Sequence, residues 1–229
     1  MKFESNNTKN TSVKHQVQKK IIDYLHDHEI ARFRDLRPAG TDTNLFSYHL
    51  NVLLKAGIVR KVDTGYTLGA PGLAYVDRAK SERNIEGVRP KIIVMFLVQN
   101  SDGDVLLQRY ARQPYINTWS LPFKEVDSTL PLMECAQQAA LDDLGLKNQS
   151  MTHAGDCYVR VKAEGLVIST TFAHIFRFNT DFIVERDDLM WARPHKLDQY
   201  SMAPAVEAVM TRGFFNDPFF FEEFEVEWV

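Results

Sequence analysis

Apolar residues recur at helical spacing in two early stretches. In HQVQKKIIDYLHDH, Val17, Ile21, Ile22, Tyr24 and Leu25 form a mostly apolar stripe, which predicts a helix from His15. A short second helix is expected over Ala31–Leu36, closed by the Pro38–Gly40 turn. Thr41, Asp42 and Thr43 offer cap chemistry for a third helix, NLFSYHLNVLLKAG. Its Leu45, Phe46, His49, Leu50, Val52 and Leu53 are expected mostly inward, and Gly57 stops it. The pattern then changes to short β-formers, IVRKV and GYTLG, around Asp63-Thr64-Gly65, which predicts a hairpin. Gly72–Ser81 reads as a closing helix.

Beyond the polar, Pro-ended stretch SERNIEGVRP the pattern is different. KIIVMFLVQN is continuously apolar, as a strand buried on both faces requires. Ser101–Asp104 turns it into DVLLQRY. WSLPFKEVD leads to a helix expected over Leu130–Leu144, with Ser128 or Thr129 as cap and Pro131 in its first turn. GDCYVRV and VISTTFAHIFRFN read as further strands, and Ala203–Thr211 as a late helix. The ending, FFNDPFFFEEFEVEWV, holds too many aromatic rings to leave in water. It is expected either to pack on its own domain, as an edge strand over Phe224–Val229, or to serve as a dimer contact or inter-domain latch.

The chain therefore divides into a tail (1–12, expected disordered), a helical module (13–82), a linker (83–90), a mixed-sheet domain (91–214) and an aromatic, acidic tail (215–229). Charge divides at the same place. Residues 1–90 hold 15 Lys and Arg against 10 Asp and Glu, a balance of +5, and the remainder holds 12 against 20, a balance of −8. A basic module beside an acidic one suggests a polyanionic partner for the first. With only Cys135 and Cys157, a disulfide framework is not expected, and a reducing cytosol fits. The N-terminus lacks the apolar core of a secretory signal, and no apolar run is long enough for a membrane helix, so a cytoplasmic protein without a membrane partner is expected.

Helix, helix, helix, hairpin, helix is the order of a winged helix-turn-helix. FSYHLNVLLKAGIVRKVDTGYTL resembles the recognition helix and wing of ArsR/MarR-type repressors, over roughly residues 15–82. Asn44, Ser47, Tyr48 and Asn51 share a helix face that a DNA major groove would receive. Asn pairs bidentately with adenine, and Arg60 and Lys61 sit on the wing where cations reach phosphate. These six are the DNA-contact candidates. The bland alternative is a solvated surface on an interaction or dimerisation module. His49 reads as a core or interface histidine.

The second half, about residues 90–214, is similar to the Nudix fold in its strand, Asn-x-x-Gly-x-Val-Leu-Leu-x-Arg, Trp119-x-Leu-Pro122, loop, and a helix ending Leu144-Gly145-Leu146. The resemblance implies an α+β chain: a winged helix of three helices and a hairpin wing, then a mixed-sheet α/β/α domain. Active Nudix domains carry Gly, Glu, Arg-Glu and two further Glu, whose acids share a helix face and hold Mg²⁺ against a diphosphate. Here those positions are Lys124, Leu130, Gln138-Ala139, and Asp142 and Asp143, with only Gly145 retained. Asp is a methylene shorter than Glu, and a misplacement of about 1 Å can cost on the order of 100-fold in rate. Hydrolysis is therefore not expected. Asp142 and Asp143, with Glu125, Asp127 and Glu134 near, are left as a weak metal site or a solvated face. No cofactor is expected to be required, with Mg²⁺ possible.

Arg109, Arg112, Tyr115 and Trp119 are the ligand-binding candidates, offering cation and stacking surface, although each alone reads equally as core or surface. The combination resembles Nudix-related transcription regulators, with the order of modules reversed. It implies a homodimeric regulator of double-stranded DNA whose degenerate Nudix-like domain senses a small phosphorylated or nucleotide-derived metabolite. The alternatives are a Mg²⁺-dependent hydrolase of nucleoside diphosphate derivatives with a tethered winged helix, and a purely structural domain.

Overall fold

The computed structural model describes residues 13–79, 90–147, 149–181, 184–214 and 219–228. The expected tail (1–12), most of the expected linker and the start of the aromatic ending lie outside the described residues.

Helix α1 is Gln16–Asp27. His15 starts it, accepting from the Val17 N–H at 3.2 Å, while Gln18 Oε1 accepts from the His15 N–H at 3.3 Å. Such reciprocal bonds satisfy donors that a helix start leaves open. The stripe Val17, Ile21, Ile22 and Leu25 is buried. Helix α2 is only Phe33–Leu36. It begins late because Ala31 is taken by a backbone bridge, exchanging two 2.9 Å hydrogen bonds with Tyr66.

Helix α3 is Thr43–Lys55, capped by Asp42, whose Oδ1 accepts from Asn44 N at 2.9 Å and Leu45 N at 3.1 Å. Phe46, His49, Leu50 and Leu53 point inward, but Leu45 is 45% exposed and Val52 half-buried. The buried arc is narrower than the apolar pattern suggested. Strands β1 (Val59–Val62) and β2 (Gly65–Leu68) pair antiparallel across Asp63-Thr64. Gly65 has φ +159°, and a Cβ there would sit 2.4 Å from the Ala31 carbonyl oxygen, so the bridge needs glycine.

Helix α4, Ala70–Ala79, starts two residues before the expected Gly72. It joins two cores. Val76 packs with the three-helix cluster, Ala70 and Ala74 pack on the large sheet, and Leu73 touches both.

The large sheet is built from β3 (Lys91–Gln99), β4 (Val105–Arg109), β5 (Trp119–Ser120), β6 (Phe123–Glu125), then, after helix α5 (Leu132–Leu144), β7 (Thr152–Ala163), β8 (Leu166–Asn179) and β9 (Leu189–Ala192). Helix α6 (Val206–Phe214) and strand β10 (Phe220–Glu227) complete it. The spatial order is β10-β7-β8-β3-β4-β5, with β6 on β3 and β9 on β4. Parallel pairs β10–β7 and β3–β8 among antiparallel ones make it a mixed sheet in an α+β chain.

β3 explains its apolar run. Val94, Phe96 and Val98 face α5 through Ala136, Ala139 and Ala140. Ile93, Met95 and Leu97 face the other way, toward α4 and the α6 residues Val206, Val209 and Met210. Helix α5 starts at Leu132 rather than Leu130, and neither Ser128 nor Thr129 caps it. Pro131 disfavours helical geometry at the residue before it, Leu130. Thr129 instead donates its N–H and hydroxyl to Asp127 Oδ1, at 2.9 and 2.7 Å.

The ending packs on its own sheet domain, as an edge strand that begins at Phe220, four residues before Phe224. Phe220 is buried, and its carbonyl lies so close to Gly155 that a Cβ there would meet it at 2.5 Å.

Candidate ligand site at the junction of the two halves

Asp142 and Asp143, near the end of α5, each have a protein partner. Lys124 Nζ sits 2.8 Å from Asp143 Oδ1, and Gln138 Nε2 donates to Asp142 Oδ1 at 2.7 Å. Ala139 is buried in the core. Arg186 donates to the Asp143 carbonyl and pairs with Asp188 at 2.5 Å. That pairing holds the Asp188 carboxyl below, and the Arg186 guanidinium above, their ordinary ranges. Glu125 and Glu134 are exposed. An ammonium on one acid, an amide on the other and a methyl group in the third position do not fit a Mg²⁺ ion held against a diphosphate.

The opposite face of the sheet has room. A cavity of about 430 Å³ lies where the helical module meets the sheet domain. Ile93, Met95, Val161, Ala173 and Val209 give it apolar walls. His26 at the end of α1 and Val76 and Asp77 of α4 enter it from the helical module. Asp77, buried, pairs with Lys91 at 2.7 Å. Two further lining hydroxyls, Tyr115 Oη and Ser120 Oγ, are buried and receive no hydrogen bond of good geometry among the described residues, with the Ser169 and Tyr110 hydroxyls as their nearest polar neighbours. Buried polar groups are almost always satisfied, so two weakly satisfied hydroxyls in one cavity are informative. Burial raises the pKa values of Tyr110 and Tyr115, which keeps both hydroxyls protonated. The cavity thus presents neutral hydroxyls and the Asp77–Lys91 ion pair over an apolar floor, with Arg112 and Glu125 also on its lining, which suits a small ligand with a polar edge.

The loop over the cavity is tied to α1. Gln113 N donates to the His26 carbonyl at 3.0 Å, and Arg112 Nε lies 3.1 Å from Asp27. Of the four expected ligand residues, Arg112 and Tyr115 line the cavity and the other two do not. Arg109 donates to Asn117 Oδ1 at 2.8 Å, and Trp119 packs edge-on against Tyr200. Asp77, Lys91, Ser120 and His26 line the cavity as well, and no motif in the sequence marks them. A carboxylate inside the apolar helix stretch GLAYVDRA was the one available signal.

On α3, Asn44, Tyr48 and Asn51 are exposed on one face, with Ser47 half-buried beside them. Lys61 is exposed on β1, and Arg60 pairs with Glu164, on the β7–β8 turn, at 2.8 Å. His49 is buried behind this face, its ring stacked on His15 at 3.9 Å. Burial, then the nearby His15, lowers its pKa.

No family model and no curated protein sequence matches the chain. Among solved structures it is similar to Nudix proteins. The mutator MutT protein from Bacillus halodurans aligns at 15% identity over 59% of this chain and 89% of that one, with TM-score 0.48. The Nudix domain of Shewanella oneidensis NrtR, cocrystallised with ADP-ribose, aligns at 11% over 60% and 94%, with TM-score 0.46. NrtR complexed with a 27mer DNA aligns at 12% over 53% and 59%, also at 0.46. At these identities and TM-scores the likeness carries no chemistry over to this chain. Among the described residues no helix is long and apolar enough to cross a membrane.

Proposed function

We propose that the chain is a ligand-responsive transcriptional regulator. In this reading residues 13–82 are a winged helix that binds double-stranded DNA, as a homodimer in the cytoplasm. α3 would enter the major groove through Asn44, Ser47, Tyr48 and Asn51, with Arg60 and Lys61 on the backbone. The sheet domain would be a sensor of a small nucleotide-derived or phosphorylated metabolite, with a polar edge at Tyr115 and Ser120 and any phosphate at the mouth near Arg112. Asp142 and Asp143 would be a fold marker, and neither Mg²⁺ nor another cofactor would be required.

One observation carries the reading: the cavity is walled by both halves, through His26, Val76 and Asp77 on one side and Lys91, Tyr115 and Ser120 on the other. A ligand seated there touches α1 and α4 directly. It can therefore stabilise one placement of the module over another, which is what a ligand needs to switch DNA affinity. Arg60 fits the same account, because Glu164 competes with phosphate for it.

Fluorescence anisotropy with the upstream region of its own operon tests the proposal. Binding should weaken steeply with added salt and change when a cognate metabolite is present. A thermal-shift screen of nucleotide-derived compounds, ADP-ribose among them, should find a ligand that raises the melting temperature of the wild type but not of Tyr115→Phe. Absence of salt-dependent DNA binding would sink the regulator. Mg²⁺-dependent turnover of a nucleoside diphosphate compound, abolished in a D142A/D143A double variant, would replace it with a hydrolase.

A further inference from the structure

Away from the cavity, two strands bring together a set of side chains that the spacing of the sequence conceals. His153 and Asp156 lie three apart on β7, where a regular strand would point them to opposite faces. The register of β7 on β8 slips between His153 and Gly155. That bulge inserts one residue, so His153 and Asp156 share a face, and Asp156 stands directly across from His174 on β8. His153 Nε2 is 2.8 Å and His174 Nδ1 2.7 Å from the same oxygen, Asp156 Oδ1. The three potential ligand atoms all lie within 4.8 Å of one another. Aromatic rings fix the imidazoles: His153 stacks on Phe176 with ring centres 4.9 Å apart, and Phe172 meets His174 edge-on at 5.1 Å. Phe219, just before β10, meets the outer side of His153 at 5.3 Å.

We propose that His153, Asp156 and His174 bind one divalent first-row transition ion of the zinc, cobalt and nickel class. Donor chemistry selects that class, because two imidazoles and one carboxylate are a borderline set, while Mg²⁺ and Ca²⁺ prefer oxygen alone. Ligand atoms about 2.0–2.1 Å from a tetrahedral ion stand roughly 3.3 Å apart, so the two Asp156 contacts would open by roughly half an ångström while the two imidazole nitrogens, within 4.8 Å of each other, settle at the same spacing. Side-chain exposures of 29%, 18% and 17% leave a path for entry. Three protein ligands leave a fourth position for water or another donor. The site stands apart from the box acids on α5 and does not depend on the regulatory reading. Its neighbour is the docking point of β10, since Phe220 pairs with Gly155 one residue before Asp156. Metal would therefore pin the β7–β8 hairpin where the last strand attaches.

Isothermal titration of untagged full-length protein with Zn²⁺ alone, and the visible spectrum with Co²⁺ alone, test the site. One ion per chain is expected, with the Co²⁺ bands of a low-symmetry tetrahedral site. Changing a side chain that merely supports a ligand costs about 10–100-fold in metal affinity, so removing a ligand by His174→Ala or Asp156→Ala should cost about 100-fold or more. His153→Ala, the most exposed of the three, gives the same readout should either of those variants fail to fold. A D142A/D143A double variant and His49→Gln should bind Zn²⁺ as the wild type does. Stoichiometric binding that survives His153→Ala and His174→Ala would overturn the proposal, as would failure of the wild type to bind Zn²⁺ in the micromolar range.

Discussion

The two faces of the large sheet have settled their polar groups in opposite ways. On the α5 face Asp143 pairs with Lys124 and Asp142 with Gln138, and Asp188 beside them pairs with Arg186. On the other face two buried hydroxyls, Tyr115 and Ser120, have only a neighbouring hydroxyl each and no hydrogen bond of good geometry among the described residues, and a cavity separates them from the helical module. A charge that has found a partner within the chain has little left to offer a guest. A buried hydroxyl without one costs the fold energy that a guest can return. The same sheet thus closes a site on one side and keeps one open on the other.

The sharpest way to break this comparison is at Asp77. Its loss leaves Lys91 largely buried opposite an apolar wall, and Asp77→Ala should lower unfolding free energy by about 3 kcal/mol in urea. A cost below about 1 kcal/mol would mean that the cavity is wet and open. Tyr115→Phe should move the other way. Removing a buried hydroxyl whose one neighbour is the Ser169 hydroxyl should stabilise the ligand-free protein by about 0–1 kcal/mol while abolishing the ligand-induced rise in melting temperature. Destabilisation there would show that the hydroxyl already has a partner. The smallest effect is expected on the closed face. Lys124 and Asp143 are partly exposed, so Lys124→Ala should cost about 0–1 kcal/mol and leave ligand binding unchanged. A large loss of ligand binding in that variant would place the guest on the α5 face instead.

What could be read from the chain was what is local. Asp42 declares the start of α3 two and three residues before the N–H groups it caps, and the continuous apolar run of β3 declares burial on both faces. The box departures were legible too, one residue at a time. That Lys124 reaches Asp143, nineteen residues on, was not, because the pairing depends on where β6 lies beside α5. Arg112 and Tyr115 were found because they sit in the loop before the box. Asp77 and Lys91 were not, since they approach from different modules. His153 and His174 escaped for a third reason: strand alternation assigns residues 153 and 156 to opposite faces, and only a bulge reverses it. The start of α2 is not local either, since the Ala31–Tyr66 bridge that sets it is a contact between distant segments.

Helix α4 has a consequence for how the molecule holds together. Its Val76 completes the core of the helical module, and its Ala70 and Ala74 complete that of the sheet domain. Neither core is closed without the same ten residues, so α4 is a shared wall rather than a tether. Loosening of the helical module withdraws support from the sheet, and loosening of the sheet withdraws it from the module. Despite their opposite charge and separate architecture, the two halves share a helix through which a disturbance of one core reaches the other.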